Sequence, residues 1–252
     1  MTISTIRSNA IKALKVVLPI IFWLAVYELI SLAIGNDYFF PDLLLVLTSL
    51  MGIVTSSAFF KVCVLTLLRV ITALFFGTLL GIILGVLSAR LSIVYNILNP
   101  FMIAVKATPV ASLIIVLWIM LSGDALAIII ALFMVMPIIW QSTYNSFDSV
   151  SRDLIEVSDI FELSSKYRFR VLYLPSLKRY LLPSVITSVG LAWKSEIATE
   201  IIAYTRNSIG QLINDGKYNL DTPIVFAWTL IVILFSVIFE AIIKLLLRKV
   251  KM

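Results

Sequence analysis

Six stretches of about 20 consecutive, predominantly apolar residues recur along this chain, and that recurrence limits its fold more than any other feature. At 1.5 Å of helical rise per residue, each is long enough to cross the hydrocarbon of a bilayer. Spans are predicted at about 16–34, 62–87, 97–121, 125–144, 181–204 and 224–247. The third is interrupted by Pro100 and Pro109, and the fourth carries Pro137. With 61% hydrophobic and 13% charged residues, a soluble fold would expose large apolar patches, which soluble proteins avoid. The expected fold is therefore an all-α integral membrane domain over residues 1–252, with no tandem repeat and no low-complexity tract. Arg7, Lys12 and Lys15 precede the first apolar run, and no small-residue cleavage site follows it, so that run reads as a retained span.

The chain has no histidine and one cysteine, Cys63. This argues against His-based acid–base chemistry, Cys-cluster zinc, haem and iron–sulfur sites. The net charge of +6 comes with no basic run of the kind that binds nucleic acid. It reports topology instead. Six spans place both termini on one side, together with Arg7, Lys12, Lys15, Arg90, Arg152, Lys166, Arg168, Arg170, Lys178, Arg179, Lys244, Arg248, Lys249 and Lys251. The opposite loops hold Lys61, Arg206 and Lys217, so the basic excess marks both termini as cytoplasmic. On the opposite side, Leu43 to Val54 is an apolar stretch suited to the membrane surface, and Tyr204 to Pro223 reads as polar and turn-rich.

One cytoplasmic segment, SRDLIEVSDIFELSSKYRFRVLYLP from Ser151 to Pro175, is amphipathic. Leu154, Ile155, Val157, Ile160 and Phe161 fall at helical spacing, Ser164 and Ser165 follow, and a second stretch from Lys166 to Leu174 ends at Pro175. It reads as two short helices joined by a turn, acidic in the first (Asp153, Glu156, Asp159) and basic in the second (Lys166, Arg168, Arg170). Charge complementarity accounts for a surface hairpin; an apolar face protruding into the cytoplasm calls for a protein that covers it.

The segment resembles the signature loop of ABC-importer permeases, E-A-A-(x)3-G-(x)9-I-x-L-P. Glu156 falls on its Glu, Val157 and Ser158 on its alanines, and Leu172, Leu174 and Pro175 on its ending. The loop's glycine falls on Glu162, which leaves either a turn shifted toward Ser164 or a longer first helix. Three further stretches resemble the nitrate, sulfonate and taurine type of these permeases: TLLRVITALFFGTLLGIILGVLSAR from Thr66, GLAWKSEIATEIIA from Gly190 and SIGQLINDGKYNLDTPIVFAW from Ser208. The resemblance implies a type I ABC importer permease fold with a cytoplasmic coupling-helix hairpin, in a bacterial inner membrane. It implies ATPase coupling through Glu156, Val157, Ser158, Phe161, Glu162, Leu163, Ser164, Leu174 and Pro175. It also implies three partners: a dimer of ABC ATPase subunits, a second permease copy or a paralogue, and an extracytoplasmic solute-binding protein. The sequence holds no G-x-x-x-x-G-K-[ST], so this chain is expected to be non-catalytic and to bind no cofactor, with ATP and Mg on the partner ATPase.

Charges within spans are expensive and must face protein or water. Glu196 and Glu200, one helical turn apart, share a face, while Lys194 points elsewhere. Lys194, Glu196, Glu200, Arg69 and Lys106 are the candidates for a translocation path or its gate, and a second reading stays open for the Glu pair: pairing with Arg69 or Lys106 to hold helices together. The position of Glu200 resembles an acidic site of the family. Lys106 lies beside the break expected at Pro109. Gly77, Gly81 and Gly85 recur every fourth residue and suit close helix packing, either within the subunit or at an interface. Glu240 and Lys244 read as a structural pair. The solute implied is a sulfonate, taurine, nitrate or a thiamine-precursor pyrimidine, although the two carboxylates would repel an anion unless paired. The alternatives are a stand-alone secondary transporter or channel, which leaves the hairpin unexplained, and a membrane enzyme, for which no constellation of side chains is present.

Overall fold

A computed structural model describes residues 3–250, all of whose regular elements are helices. Of the basic residues assigned to the cytoplasm, Lys251 lies outside the described residues, as do the side chains of Arg7, Lys12, Arg248 and Lys249. Two compact units are distinguished: residues 1–59 with 212–231, and residues 60–211 with 232–252.

In the first unit, α1 (Ile3–Ile34) and α2 (Leu43–Thr55) are joined by a polar corner. Glu28 on α1 accepts the Leu43 amide (3.1 Å) and Asp42 accepts the Leu45 amide (2.6 Å), so two carboxylates satisfy the free N–H groups that open α2. Tyr27 donates to the Pro41 carbonyl at 2.8 Å and packs its ring against Phe40, the two planes tilted by 40°. The apolar stretch predicted at Leu43 to Val54 is thus helical.

In the second unit, α3 (Ser57–Arg90) packs on α6 (Gly123–Asp148). The glycine stripe makes this contact inside the chain. A Cβ on Gly77 would lie 2.9 Å from Val135 Cβ, one on Gly81 2.7 Å from Ile139 Cβ, and one on Gly85 2.5 Å from Thr143 Cβ. Of the two readings of the stripe, packing within the subunit is the one observed. Trp140 on α6 donates to Ser88 Oγ at 2.9 Å.

The third span, expected over 97–121, is broken at Pro109 as the sequence indicates: α4 (Ser92–Ala107) and α5 (Val110–Trp118) meet there at a bend of 104°. The residue before a proline is pushed out of the helical region, and Thr108 is accordingly extended (ψ 127°) before Pro109. Pro100 lies inside α4.

The segment after Ser151 differs from expectation. After α7 (Arg152–Ile160), a one-turn α8 (Ser165–Arg168) passes into a π-helical turn (Phe169–Tyr173) and then into α9 (Leu174–Ile202). The second hairpin helix therefore does not end at Pro175. Proline in a first helical turn lacks only an N–H that would have had no helical partner, and Pro175 sits at that position of α9. The stretch expected to be turn-rich after Tyr204 contains α10 (Ile209–Tyr218). The last helix is α11 (Thr222–Val250), with Glu240 and Lys244 paired at 2.5 Å.

Four described helices are long and apolar enough to cross a membrane, or five if the bent pair is one span. The helix α9 has the length, at 29 residues, but Lys194, Glu196 and Glu200 lower its mean hydropathy. Its polar residues Ser188, Ser195, Glu196, Thr199 and Glu200 are buried against protein, which is how a span tolerates them.

Candidate functional site

Two polar regions sit at opposite ends of α9. At its start is the hairpin. Ser151 caps α7 by accepting the Leu154 amide (3.4 Å), and Asp153 lies in the first turn. The helix closes with two bonds, Glu162 N–H to the Asp159 carbonyl and Leu163 N–H to the Ser158 carbonyl, both 3.0 Å. This pair is the Schellman pattern, which places its C′ residue in the left-handed region. That residue is Glu162, with φ 49°. The turn thus stays where the family's glycine falls, and Glu162 bears a strain of about 1–2 kcal/mol that glycine would not. Ser164 is the next N-cap, accepting the Tyr167 amide at 3.4 Å. An Arg168–Asp159 ion pair joins the two arms.

Of the residues matched to the coupling loop, Glu156, Val157, Phe161, Glu162, Ser164 and Pro175 are exposed, Leu163 and Leu174 are half-buried, and Ser158 is buried. Ile160 is 78% and Phe161 72% exposed. At the hairpin base, Ser176 donates to the Ser146 carbonyl (2.6 Å).

At the far end of α9 a charged cluster is buried. Glu200 Oε1 accepts from Arg69 Nη1 and from Thr66 Oγ1, both at 2.8 Å, and Oε2 accepts the Gly210 amide at 3.0 Å. Thr66 in turn accepts the Ile209 amide at 3.2 Å. One carboxylate thereby joins α3, α9 and the first turn of α10, where free N–H groups favour negative charge. Gly210 is required by this approach: a Cβ there would lie 2.6 Å from the Ile201 amide nitrogen. Arg69 also reaches Asp124 on α6, through Nη2 at 2.7 Å and Nε at 2.9 Å, and the Arg206 carbonyl at 3.2 Å.

The five charges singled out in the spans therefore separate. Arg69 and Glu200 meet, so the pairing reading applies to them, with Arg69 as the partner. Glu196 is fully buried beneath them, and neither of its carboxyl oxygens has a hydrogen-bond partner. Lys194 is exposed on the other face of α9, and Lys106 is exposed in the last turn of α4. Asp124, Thr66 and Gly210 were not singled out from the sequence. The signal for Asp124 lies in the need of an arginine at membrane depth for acids, since Asp124 stands at the start of the fourth apolar run. The helix α10 also carried a signal, Ser208 three residues before Gln211. Ser208 Oγ accepts the Gln211 amide at 2.9 Å and Gln211 Oε1 accepts the Asn207 amide at 2.7 Å, a near relative of the capping box.

Two cavities flank these regions. One of about 490 Å³ beside the hairpin is lined by Arg90, Tyr95, Tyr144, Asp148, Arg152 and Tyr173 among others. One of about 440 Å³ beside the charged cluster is lined by Arg69, Trp118, Asp124, Tyr204, Arg206 and Asn207 among others. Among the described residues no group of acids and cysteine is arranged to hold a metal ion.

Residues 77–252 match the family model described as binding-protein-dependent transport system inner membrane component. The chain is 27% identical over 157 residues to the glycine betaine/proline betaine transport system permease protein ProW of Escherichia coli strain K12. That alignment covers 62% of this chain and 44% of the relative, so the chain spans less than half the length of that protein. It is 28% identical over 181 residues to the osmoprotectant import permease protein OsmY of Salmonella typhimurium strain LT2, covering 69% of this chain and 74% of the relative.

Proposed function

The chain belongs to the family of binding-protein-dependent transport system inner membrane components, and from that premise we propose that it is the membrane-spanning permease subunit of an ATP-driven importer. The observation that carries this reading is the family match over a chain whose α7 hairpin presents Ile160 and Phe161 to solvent. An exposed apolar face of this kind fits a cleft on a separate ATPase. In this reading a pair of ATPase subunits binds ATP and Mg, a second permease copy completes the path, and a solute-binding protein delivers cargo on the opposite side. The spans number six, with the bent α4–α5 pair and α9 included. Both termini are cytoplasmic, in a bacterial inner membrane.

The parts divide the work along α9. Glu156, Val157 and Phe161 receive the motion of the ATPase, and Ser158, Glu162, Leu163 and Ser164 hold the shape of the hairpin. Leu174 and Pro175 pass the motion into α9. At the other end the Arg69–Glu200 pair, with Glu196 below it, holds the outer gate elements together. Lys194 and Lys106, exposed at membrane depth where lipid cannot solvate them, face the water-filled path. The cargo is a small solute bearing an acidic group, of which sulfonates, taurine and the betaines named for the relatives are examples.

The test is co-purification in mild detergent. Wild-type protein is expected to retain a nucleotide-hydrolysing partner, and Phe161→Glu with Ile160→Glu to lose it while keeping the same thermal midpoint. A chain that purifies alone, under conditions where a known importer stays assembled, and transports solute on an ion gradient would overturn the reading.

A further inference from the structure

The carboxylate that closes the open side of Arg69 is the least buried member of the charged cluster. Glu200 is fully buried and held by three donors, whereas Asp124 is 67% exposed on an Arg69 that is 5% exposed. Asp124 belongs to the first turn of α6 and lines the 440 Å³ cavity. Two arginines, Arg69 and Arg206, are among the residues that line that cavity. Ser122, which opens α6, makes no side-chain cap, so amide groups of the first turn remain for another acceptor. The backbone is left-handed at three wall residues, Gly123 (φ 59°), Tyr204 (φ 51°) and Asn207 (φ 53°). For a residue as bulky as Tyr204 this conformation persists only where its surroundings impose it, so the wall is held in one shape.

We propose that this cavity binds the acidic group of the transported solute, a carboxylate or sulfonate, and that Asp124 stands in for that group on Arg69 while the cavity is empty. The proposal rests on the importer reading. Arg69 offers Asp124 two N–H groups, Nε at 2.9 Å and Nη2 at 2.7 Å, the fork that a guanidinium presents to any oxyanion of this type. Exchange is one acid for one acid, so Glu200 keeps Arg69 as its cation and the number of acidic groups on Arg69 is the same before and after. Asp124, already facing water, turns outward at little desolvation cost, and Arg206 supplies the attraction that draws the solute in. A cation with no acidic group has nothing to exchange for Asp124.

The experiment uses the full chain assembled with its ATPase in lipid nanodiscs. Taurine, glycine betaine and choline are titrated by calorimetry into wild type, Asp124→Asn and Arg206→Gln. The expected result is saturable binding of taurine or glycine betaine and none of choline. Binding should be about fivefold tighter in Asp124→Asn, where the internal competitor has lost its charge, and about fivefold weaker in Arg206→Gln, at unchanged thermal midpoints. Equal affinity in wild type and Asp124→Asn, binding of choline comparable to glycine betaine, or no binding of either acid overturns the proposal. Failure of the ATPase to assemble at all counts against the importer reading and is seen before any titration.

Discussion

The two ends of α9 solve opposite problems. Near its start, the α7 hairpin turns apolar side chains outward and shapes itself with local backbone bonds: two caps, a Schellman closure and one ion pair across nine residues. Near its end, charges are turned inward and held by partners far apart in sequence, Arg69 with Glu200 across 131 residues and Thr66 with Glu200 across 134. The first region leaves its apolar face open; the second is closed on itself except at Asp124, which faces water, and at Glu196, whose two oxygens have no hydrogen-bond partner. A surface meant for a partner can be shaped locally, whereas a buried charge must find its neutraliser wherever the fold supplies one.

The comparison breaks most sharply at Arg69. Arg69→Leu leaves Glu200 buried without its cation and is expected to destabilise the protein by about 3–5 kcal/mol, seen as loss of the monodisperse detergent-solubilised fraction. Arg69→Leu with Glu200→Leu should recover much of that loss, because the uncompensated charge is gone. Gly81→Val comes next. Its side chain meets Ile139 on α6, and overpacking of that contact should cost about 1–3 kcal/mol, read as a lowered thermal midpoint. Gly190→Ala, where a Cβ meets nothing within 4 Å, is the control and should leave the midpoint unlowered. Phe161→Glu should leave the midpoint where it is and abolish ATPase retention, which separates the two ends by readout instead of by size. The smallest effect is Glu162→Gly. Relief of the left-handed strain should stabilise the hairpin by about 1 kcal/mol, measured as slower amide exchange at Leu163, whose N–H forms the closing bond.

The outward-facing region was the more legible in the sequence, for a physical reason. Ser151, Ser164 and Glu162 act on neighbours a few residues away, so the sequence of the segment itself holds what shapes it. Without glycine the turn was expected to shift toward Ser164 or to give way to a longer first helix; it stays at Glu162 instead, since the two Schellman bonds that impose φ 49° are visible only in the fold. The charged cluster was half legible. The cost of charge at membrane depth pointed to Arg69 and Glu200, but choosing Arg69 over Lys106 as the partner needed the packing of α3 beside α9. Asp124 was missed because it lies at the mouth of a span, where an acid costs little and attracts no notice. The bend at Pro109 was expected as a kink; its 104° was not, because proline specifies a break and the surrounding packing sets the angle. The π-helical turn left no mark in composition.

That turn has a consequence for phase. A π-helical turn holds one residue more than the α-helical turn it replaces, and one residue amounts to about 100° of rotation around a helix axis. Phe169–Tyr173 therefore sets the azimuth at which the hairpin meets α9, and with it the direction in which any twist delivered at Phe161 arrives at Glu200. Deleting one residue there would leave both ends chemically intact and point them past each other, so the two halves would be out of step though nothing in either had changed.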